Sequence, residues 1–277
     1  MPVIATNVAA NAALMYLNRN SANETSALSK LASGSNIVKA SDDAAGLAIG
    51  TQLKADASVL TQCATNTSQG SSILQVADGG LSSISDILQR LDALATEAAS
   101  SNVSDTQRSN DIGAEWTQLI SEISTVISST TYGGQGLLDG TYSSAVFQVG
   151  TGSSDTITVE LGALSSTALS SVTAMTTSDI GTLSAAQSAM STVSAAIDAI
   201  TSYRASVGAY ESQFNFSASA ISTNQENTQA AASTVMDADE AAQKSALSSA
   251  DVLSQASIAA LSQASKMPQE LLSLLQS

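Results

Sequence analysis

Few residues in this chain of 277 can do chemistry. It has no His and a single Cys, so the commonest general base and the commonest metal ligand are both missing. Cys63 has no CxxC partner and no His to lower its pKa. It reads as a small buried residue on a helix seam rather than a nucleophile, and alone it forms no intramolecular disulfide. Asp42 and Asp43 are an adjacent carboxylate pair that invites reading as an acid–base dyad or as metal ligands. With no third ligand nearby they suit a helix start better: Ser41 or Asp42 accepts the free N–H groups of the next helix, and the carboxylates complement its positive end. The glycines of Tyr132-Gly133-Gly134-Gln135-Gly136-Leu137-Leu138-Asp139-Gly140 are not a phosphate loop, because no Lys follows in GK[ST] spacing and no βαβ frame surrounds them. No catalytic, cofactor-binding or metal site is expected, and the chain is not expected to be an enzyme.

What could position such residues is mostly helix. Leu53, Leu60, Leu74, Leu81 and Leu88 fall on one seven-residue register with Thr67 in its gap, and Ile49, Cys63, Ala77, Ile84 and Leu91 follow a companion register. That spacing predicts a long helix with a narrow apolar seam, roughly 80 Å if continuous from Ala44 to Ala99, which requires partner helices. Gly70 and the pair Gly79-Gly80 interrupt it without shifting the register, which predicts a bend or a close helix approach. Ile112, Trp116, Leu119, Ile123 and Val126 make a second, antiparallel helix of about 25 residues, with Trp116 as a core anchor. Ala145 to Val149 and Thr156 to Leu161 alternate like half-buried strands around a hairpin loop, Gly150 to Asp155. Ser165 to Gly181 read as a polar surface connection. The helical seam returns from Leu183 through Met190, Val193, Ile197, Ile200, Val207, Phe214 and Ile221, and more weakly through Val235, Leu253 and Ala260. Arg204 and Glu211 mark polar interruptions suited to pairing with other helices.

The ends are weaker. Leu14, Leu17, Leu28 and Leu31 form an amphipathic N-terminal helix with polar seam positions at Ser21 and Glu24, marginal until a partner covers it. Leu271, Leu272, Leu274 and Leu275 leave apolar side chains at the C-terminus that a monomer would expose. The fold class is mainly α: a long antiparallel helical bundle or coiled coil with a small β-hairpin region, its N- and C-terminal helices paired. Five segments follow, 1–40, 41–130, 131–182, 183–234 and 235–277.

Composition narrows the partners. A formal charge of −15, with nine scattered Lys and Arg, argues against a nucleic-acid or anionic-membrane surface. No stretch is apolar for about 20 residues, so no membrane span is expected. The first residues lack the basic start and long apolar run of a cleavable signal peptide.

Together these residues carry a resemblance. Ser33-Gly34 with Ile37, the run Ser41-Asp42-Asp43-Ala44-Ala45-Gly46-Leu47-Ala48-Ile49, Leu88-Gln89-Arg90-Leu91 with Leu94-Ala95, Gln135-Gly136-Leu137-Leu138, and Met267-Pro268-Gln269 ahead of the terminal leucines resemble bacterial flagellins, in the family's order and over nearly the whole chain. The resemblance implies a compact form without large outer domains, which self-assembles into the flagellar filament for motility; the alternative is a hook–filament junction protein or minor flagellin-like component. It implies an extracellular location reached by type III export without a cleavable signal. The implied partners are further copies of the chain, hook-associated junction and cap proteins, an export chaperone at the C-terminus and a host innate immune receptor. The eight terminal leucines, Leu14, Leu17, Leu28, Leu31, Leu271, Leu272, Leu274 and Leu275, would serve assembly, and Arg90, Leu94 and Glu115 would match the receptor surface. Ser35 and Asn36 stand where the family usually has Arg, and Gln276-Ser277 close the chain where it usually ends in Arg.

Overall fold

A computed structural model describes the backbone of residues 7–162, 164 and 168–275, with side chains described through residue 268. The elements in order are α1 (Val8–Ser33), α2 (Ala44–Ala98), α3 (Asp105–Gln107) leading through a π-turn (Arg108–Ile112) into α4 (Gly113–Ser129), β1 (Thr131–Tyr132), β2 (Gln135–Gly136), β3 (Ala145–Gln148), β4 (Thr156–Val159), α5 (Ala168–Thr173), α6 (Leu183–Met236) and α7 (Glu240–Leu275). The fold is mainly α, with its terminal helices paired and two small antiparallel sheets. Two compact units divide it: Met1–Ala57 with Glu226–Ser277, and Ser58–Gln225.

In the second unit the seam of α2 is unbroken. Spacings of three and four carry buried positions from Leu60 through Thr67, Leu74, Leu81 and Leu88 to Ala98, the narrow stripe of a helix that must be covered along its length. Ile49 and Leu53, on the same registers, fall outside this buried run; Ile49 is exposed. Thr67 fits the apolar line because its hydroxyl donates to the Cys63 carbonyl (2.8 Å), so no polar atom is left unpaired. Cys63 is buried, and burial pushes its thiol pKa up.

Two helices cover that stripe. α4 runs antiparallel to α2 and contributes Trp116, Ile120 and Ile123, with Ile112 added from the π-turn ahead of it. α6 also runs antiparallel: Arg204 holds Asp78 in a bidentate pair (2.8 and 3.3 Å), Phe214 sits over Gly70, and Gln225 donates to Thr61 (2.9 Å). Gly70 is therefore a close approach; a Cβ there would lie 2.6 Å from the Phe214 ring. Gly80 does the same for Thr130 and Leu138, whereas Gly79 faces open space. Phe147 of β3 meets Phe214 edge-on, with centroids 5.3 Å apart, and so ties the hairpin to the helices.

The β3–β4 register pairs Ala145 with Val159 and Gln148 with Thr156. Gln148 Nε2 closes the loop by donating to the carbonyls of Gly150 and Gly152. A second, shorter hairpin, β1–β2, turns on Gly133 and Gly134 at φ 59° and 85°, left-handed angles that glycine adopts without strain. Of the stretch expected as a polar surface connection, the described residues 168–181 are not plain surface: Leu169, Val172 and Ile180 are buried in the core, because three well-spaced apolar side chains suffice to anchor an otherwise polar stretch.

Arg108 closes the top of α2. It is 4% exposed and donates to the carbonyls of Ala98 (2.5 Å) and Ser100 (2.7 Å) while pairing with Asp105 (2.5 Å). A cation on the last carbonyls of a helix satisfies acceptors that have no partner in the helix itself.

The first unit has two matched breaks. Gly34 ends α1 at φ 67°. Its carbonyl accepts from Ala238 N–H (3.0 Å), and Asn36 N–H donates to the Met236 carbonyl (2.7 Å), so the gap between α1 and α2 docks on the gap between α6 and α7. The weak seam expected to run through Val235 into Leu253 is thus interrupted after Met236, and Asp239 caps the new helix through Ala242 N–H (3.0 Å). Asp43, not Ser41 or Asp42, accepts from Gly46 N–H (2.9 Å) at the start of α2. Asp42 instead binds the amides of Lys39 and Val38, led by Lys39, which hold its carboxyl below the usual range.

Two outcomes check this packing. Gly70→Ala should lower stability of the second unit by about 1–3 kcal/mol through overpacking against Phe214, while Gly79→Ala should raise it by up to about 1 kcal/mol through helix propensity; thermal unfolding of both variants reads the difference in sign. Burial pushes the Tyr203 phenol up to about 12, and its hydroxyl donates to the Gly162 carbonyl (2.7 Å). Its contribution is present below the ordinary phenol value of about 10 and is lost as pH climbs from there to about 12. The melting temperature should fall across that window, and less steeply in Tyr203→Phe.

Candidate assembly surface

The ends of the chain meet as an antiparallel pair, α1 on α7. On α1 the less exposed positions are Ala10, Ala13, Leu17, Asn20, Glu24, Ala27 and Leu31, spaced three and four. On α7 they are Leu247, Ala250, Ser254, Ser257, Leu261 and Ala264, with the same spacing. Small side chains make up four of the six α7 positions and three of the seven on α1, which lets the two backbones approach closely at those points. Polar groups in the seam set its register: Asn20 Nδ2 donates to Ser257 Oγ (2.9 Å) and to the Leu253 carbonyl (3.2 Å), and Asn7 Nδ2 donates to the Ala264 carbonyl (2.7 Å). A slip of one turn would leave these amides without their acceptors.

This geometry divides the N-terminal leucines. Leu17 and Leu31 are half-buried in the pair, while Leu14 and Leu28 are exposed, Leu28 at 54%. They share their open condition with Met15 and Tyr16 on α1 and with Val252 and Ile258 on α7. Reading the periodicity alone missed these last four; the signal was available, since each lies between the seam positions and not on them. The side chains of Leu271, Leu272, Leu274 and Leu275 lie outside the described residues. The arrangement can bury apolar surface against a partner. Among the described residues no cluster of three or more His, Cys, Asp or Glu is placed to hold a metal, and no helix is long and apolar enough to cross a membrane.

A second surface, in the other unit, carries Arg90 and Glu115. They form a bidentate pair at 2.6 and 2.9 Å, both roughly half exposed. The hydrogen bond from Arg90 holds the Glu115 carboxyl below its usual range. Leu94 does not join them. At 2% exposure it is part of the α2 core, because it lies among the seam positions that α4 and α6 cover, so the three residues do not make one accessible surface.

Comparison with known proteins matches the chain from both ends. Residues 4–143 match the bacterial flagellin N-terminal helical region, and residues 190–275 match the bacterial flagellin C-terminal helical region. The chain is similar to a flagellin of Listeria innocua, 34% identical over 98% of this chain and 99% of that protein. It is also similar to flagellin FlaB1 of Treponema pallidum, 31% identical over 99% of each. A crystal structure of Bacillus cereus flagellin aligns with a TM-score of 0.49 and 26% identity, covering 56% of this chain and 88% of that one.

The split between seam and open row predicts opposite behaviour at adjacent positions. Ala27, 6% exposed, lies in the pair and Leu28 does not. Ala27→Leu should force α1 and α7 apart and cost about 1–3 kcal/mol, whereas Leu28→Ser should leave the pair's thermal transition within about 0.5 kcal/mol. Circular dichroism melts of the two variants distinguish them.

Proposed function

The chain belongs to the bacterial flagellin family and is a structural subunit of the flagellar filament, not an enzyme; from that premise we propose that the open apolar row on its paired end helices is the surface through which copies join. The observation that carries this reading is the exposure of Leu14 and Leu28 beside a completed α1–α7 seam. Each leucine side chain taken out of water contributes about 1.5–3 kcal/mol, and among the described residues both remain exposed beside the pair. Filament growth needs a contact between different surfaces of successive copies, since a self-complementary patch would close into a dimer. On this reading segments 1–40 and 235–277 form the inner part of the filament, with Leu17 and Leu31 holding the pair and Leu14, Leu28 and the four C-terminal leucines meeting neighbours. The segments 41–130, 131–182 and 183–234 surround it.

Finer partners follow from the family. The chain is exported through the flagellum's own type III channel to the extracellular tip, with a chaperone on its C-terminal segment beforehand, and it meets junction and cap proteins at the filament ends. Any innate-receptor contact in this chain falls on the Arg90–Glu115 pair without Leu94. The full-length match to filament flagellins disfavours the junction-protein alternative.

Seeded polymerisation tests the reading. The unaltered chain should elongate filament fragments into tubes visible by electron microscopy. The double variant Leu14→Ser, Leu28→Ser should keep its helical content and fail to elongate, as should a truncation lacking Leu271 to Ser277. Normal tubes from either altered chain would refute the assignment.

A further inference from the structure

Proline has no N–H to give, and its ring crowds the carbonyl four residues back, so inside a helix it ends or kinks the run. Pro268, one of two prolines in the chain, stands inside α7, yet the helix continues to Leu275. The carbonyl that loses its helical partner is that of Ala264. Beyond the break lie the last turns of α7, which carry the four C-terminal leucines. The missing donor comes from the start of α1. Asn7 Nδ2 donates to the Ala264 carbonyl at 2.7 Å, while the oxygen of the same amide accepts from Ala10 N–H (3.0 Å) and caps α1. One side chain thus completes the first turn of α1 and bridges the break in α7. The other seam amide differs: Asn20 donates to the Leu253 carbonyl, whose usual helical donor, the Ser257 N–H, exists.

We propose that Asn7 is a positioning residue for the C-terminal leucines: α7 continues past Pro268 where α1 lies alongside it, so these leucines take their helical places once the terminal pair has formed and not before. This inference rests on the assembly reading above and adds an order of events to it. In an unpaired α7 the Ala264 carbonyl turns to water, and the short stretch after Pro268 has too few helical bonds of its own to stay wound. Pairing with α1 supplies the donor and restores continuity across the break. A segment with four leucines in five residues is thereby kept from presenting an ordered apolar face on a lone chain, where such a face invites premature association.

A double-mutant cycle on the full-length chain supplies the test, with Asn7→Ser, Pro268→Ala and the two combined. Serine keeps the cap on α1 but is too short to reach Ala264, and alanine at 268 returns the N–H that makes the reach unnecessary. Two lysines of α7 report locally: Lys266 lies beside the break and Lys244 in the body of the helix, both exposed. Beside Pro268, Asn7→Ser should speed tryptic cleavage after Lys266 relative to Lys244 by about three- to tenfold, the effect of one lost hydrogen bond, and raise the critical concentration for seeded elongation by a similar factor. In the Pro268→Ala background both changes should shrink below about twofold. Equal acceleration at the two lysines, or an Asn7→Ser effect of the same size in both backgrounds, overturns the proposal and leaves the assembly reading intact. Failure of the unaltered chain to elongate seeds overturns the assembly reading, and the cleavage ratios still decide whether Asn7 bridges the break.

Discussion

A helix of fifty-five residues with apolar side chains along one stripe cannot stand in water alone, and much of this molecule answers that constraint. The stripe of α2 from Leu60 to Ala98 needs cover along its whole length. α4 supplies it near the upper end and α6 along nearly all of it. Where those helices come closest, α2 gives up side chains: Gly70 admits the Phe214 ring, and Gly80 admits Thr130 and Leu138. The ends of the helix are finished by charge and hydrogen bonding instead, with Asp43 on the first free amides and Arg108 on the last carbonyls. The hairpins and the short α5 then close the space left around that three-helix core, each with a few buried anchors.

The terminal pair obeys a different rule. Its seam is made of alanine and serine as much as leucine, so it buries little apolar area per residue, and its specificity rests on amides such as Asn20 that accept only one register. Such a pair is ordered without being strongly cohesive. Several larger apolar groups of the same helices, Leu14, Met15, Leu28 and Ile258 among them, are left outside, which is poor economy for a monomer and sensible for a subunit whose surroundings are other subunits.

Much of this was legible in the sequence because periodicity reports which residues share a face. The long helices, the antiparallel partner holding Trp116, and the β3–β4 hairpin all follow from spacing, and family motifs at the two ends identify the filament role. Periodicity does not report whether anything covers a face. Ile49 continues the α2 register yet is exposed, and Leu14 and Leu17, three residues apart, divide between open row and seam because only the position of α7 decides between them. Tertiary pairing also hid the break after Met236: nothing in Asp237-Ala238-Asp239 forbids a helix, and the stop comes from docking on Gly34 and Asn36. Leu169, Val172 and Ile180 were masked by the polar residues around them, and Leu94 by a family motif that says nothing about burial in this chain.

The arginine pairs of the second unit have a colloidal meaning as well. Between Ser58 and Gln225 there are fourteen Asp and Glu against three Arg and no Lys, which leaves −11. Each of those arginines is already engaged inside the chain, with Glu115, Asp105 and Asp78. A dense array of such units is a polyelectrolyte, with excess carboxylates and no cation of its own to lend a neighbour. It must gather a cloud of counterions much as a nucleic acid does, and repulsion between adjacent copies reaches only about 8–10 Å at moderate ionic strength. Cohesion across these faces therefore belongs to short-range apolar and hydrogen-bonded contact, and the salinity of the surrounding medium becomes one of the subunit's structural components.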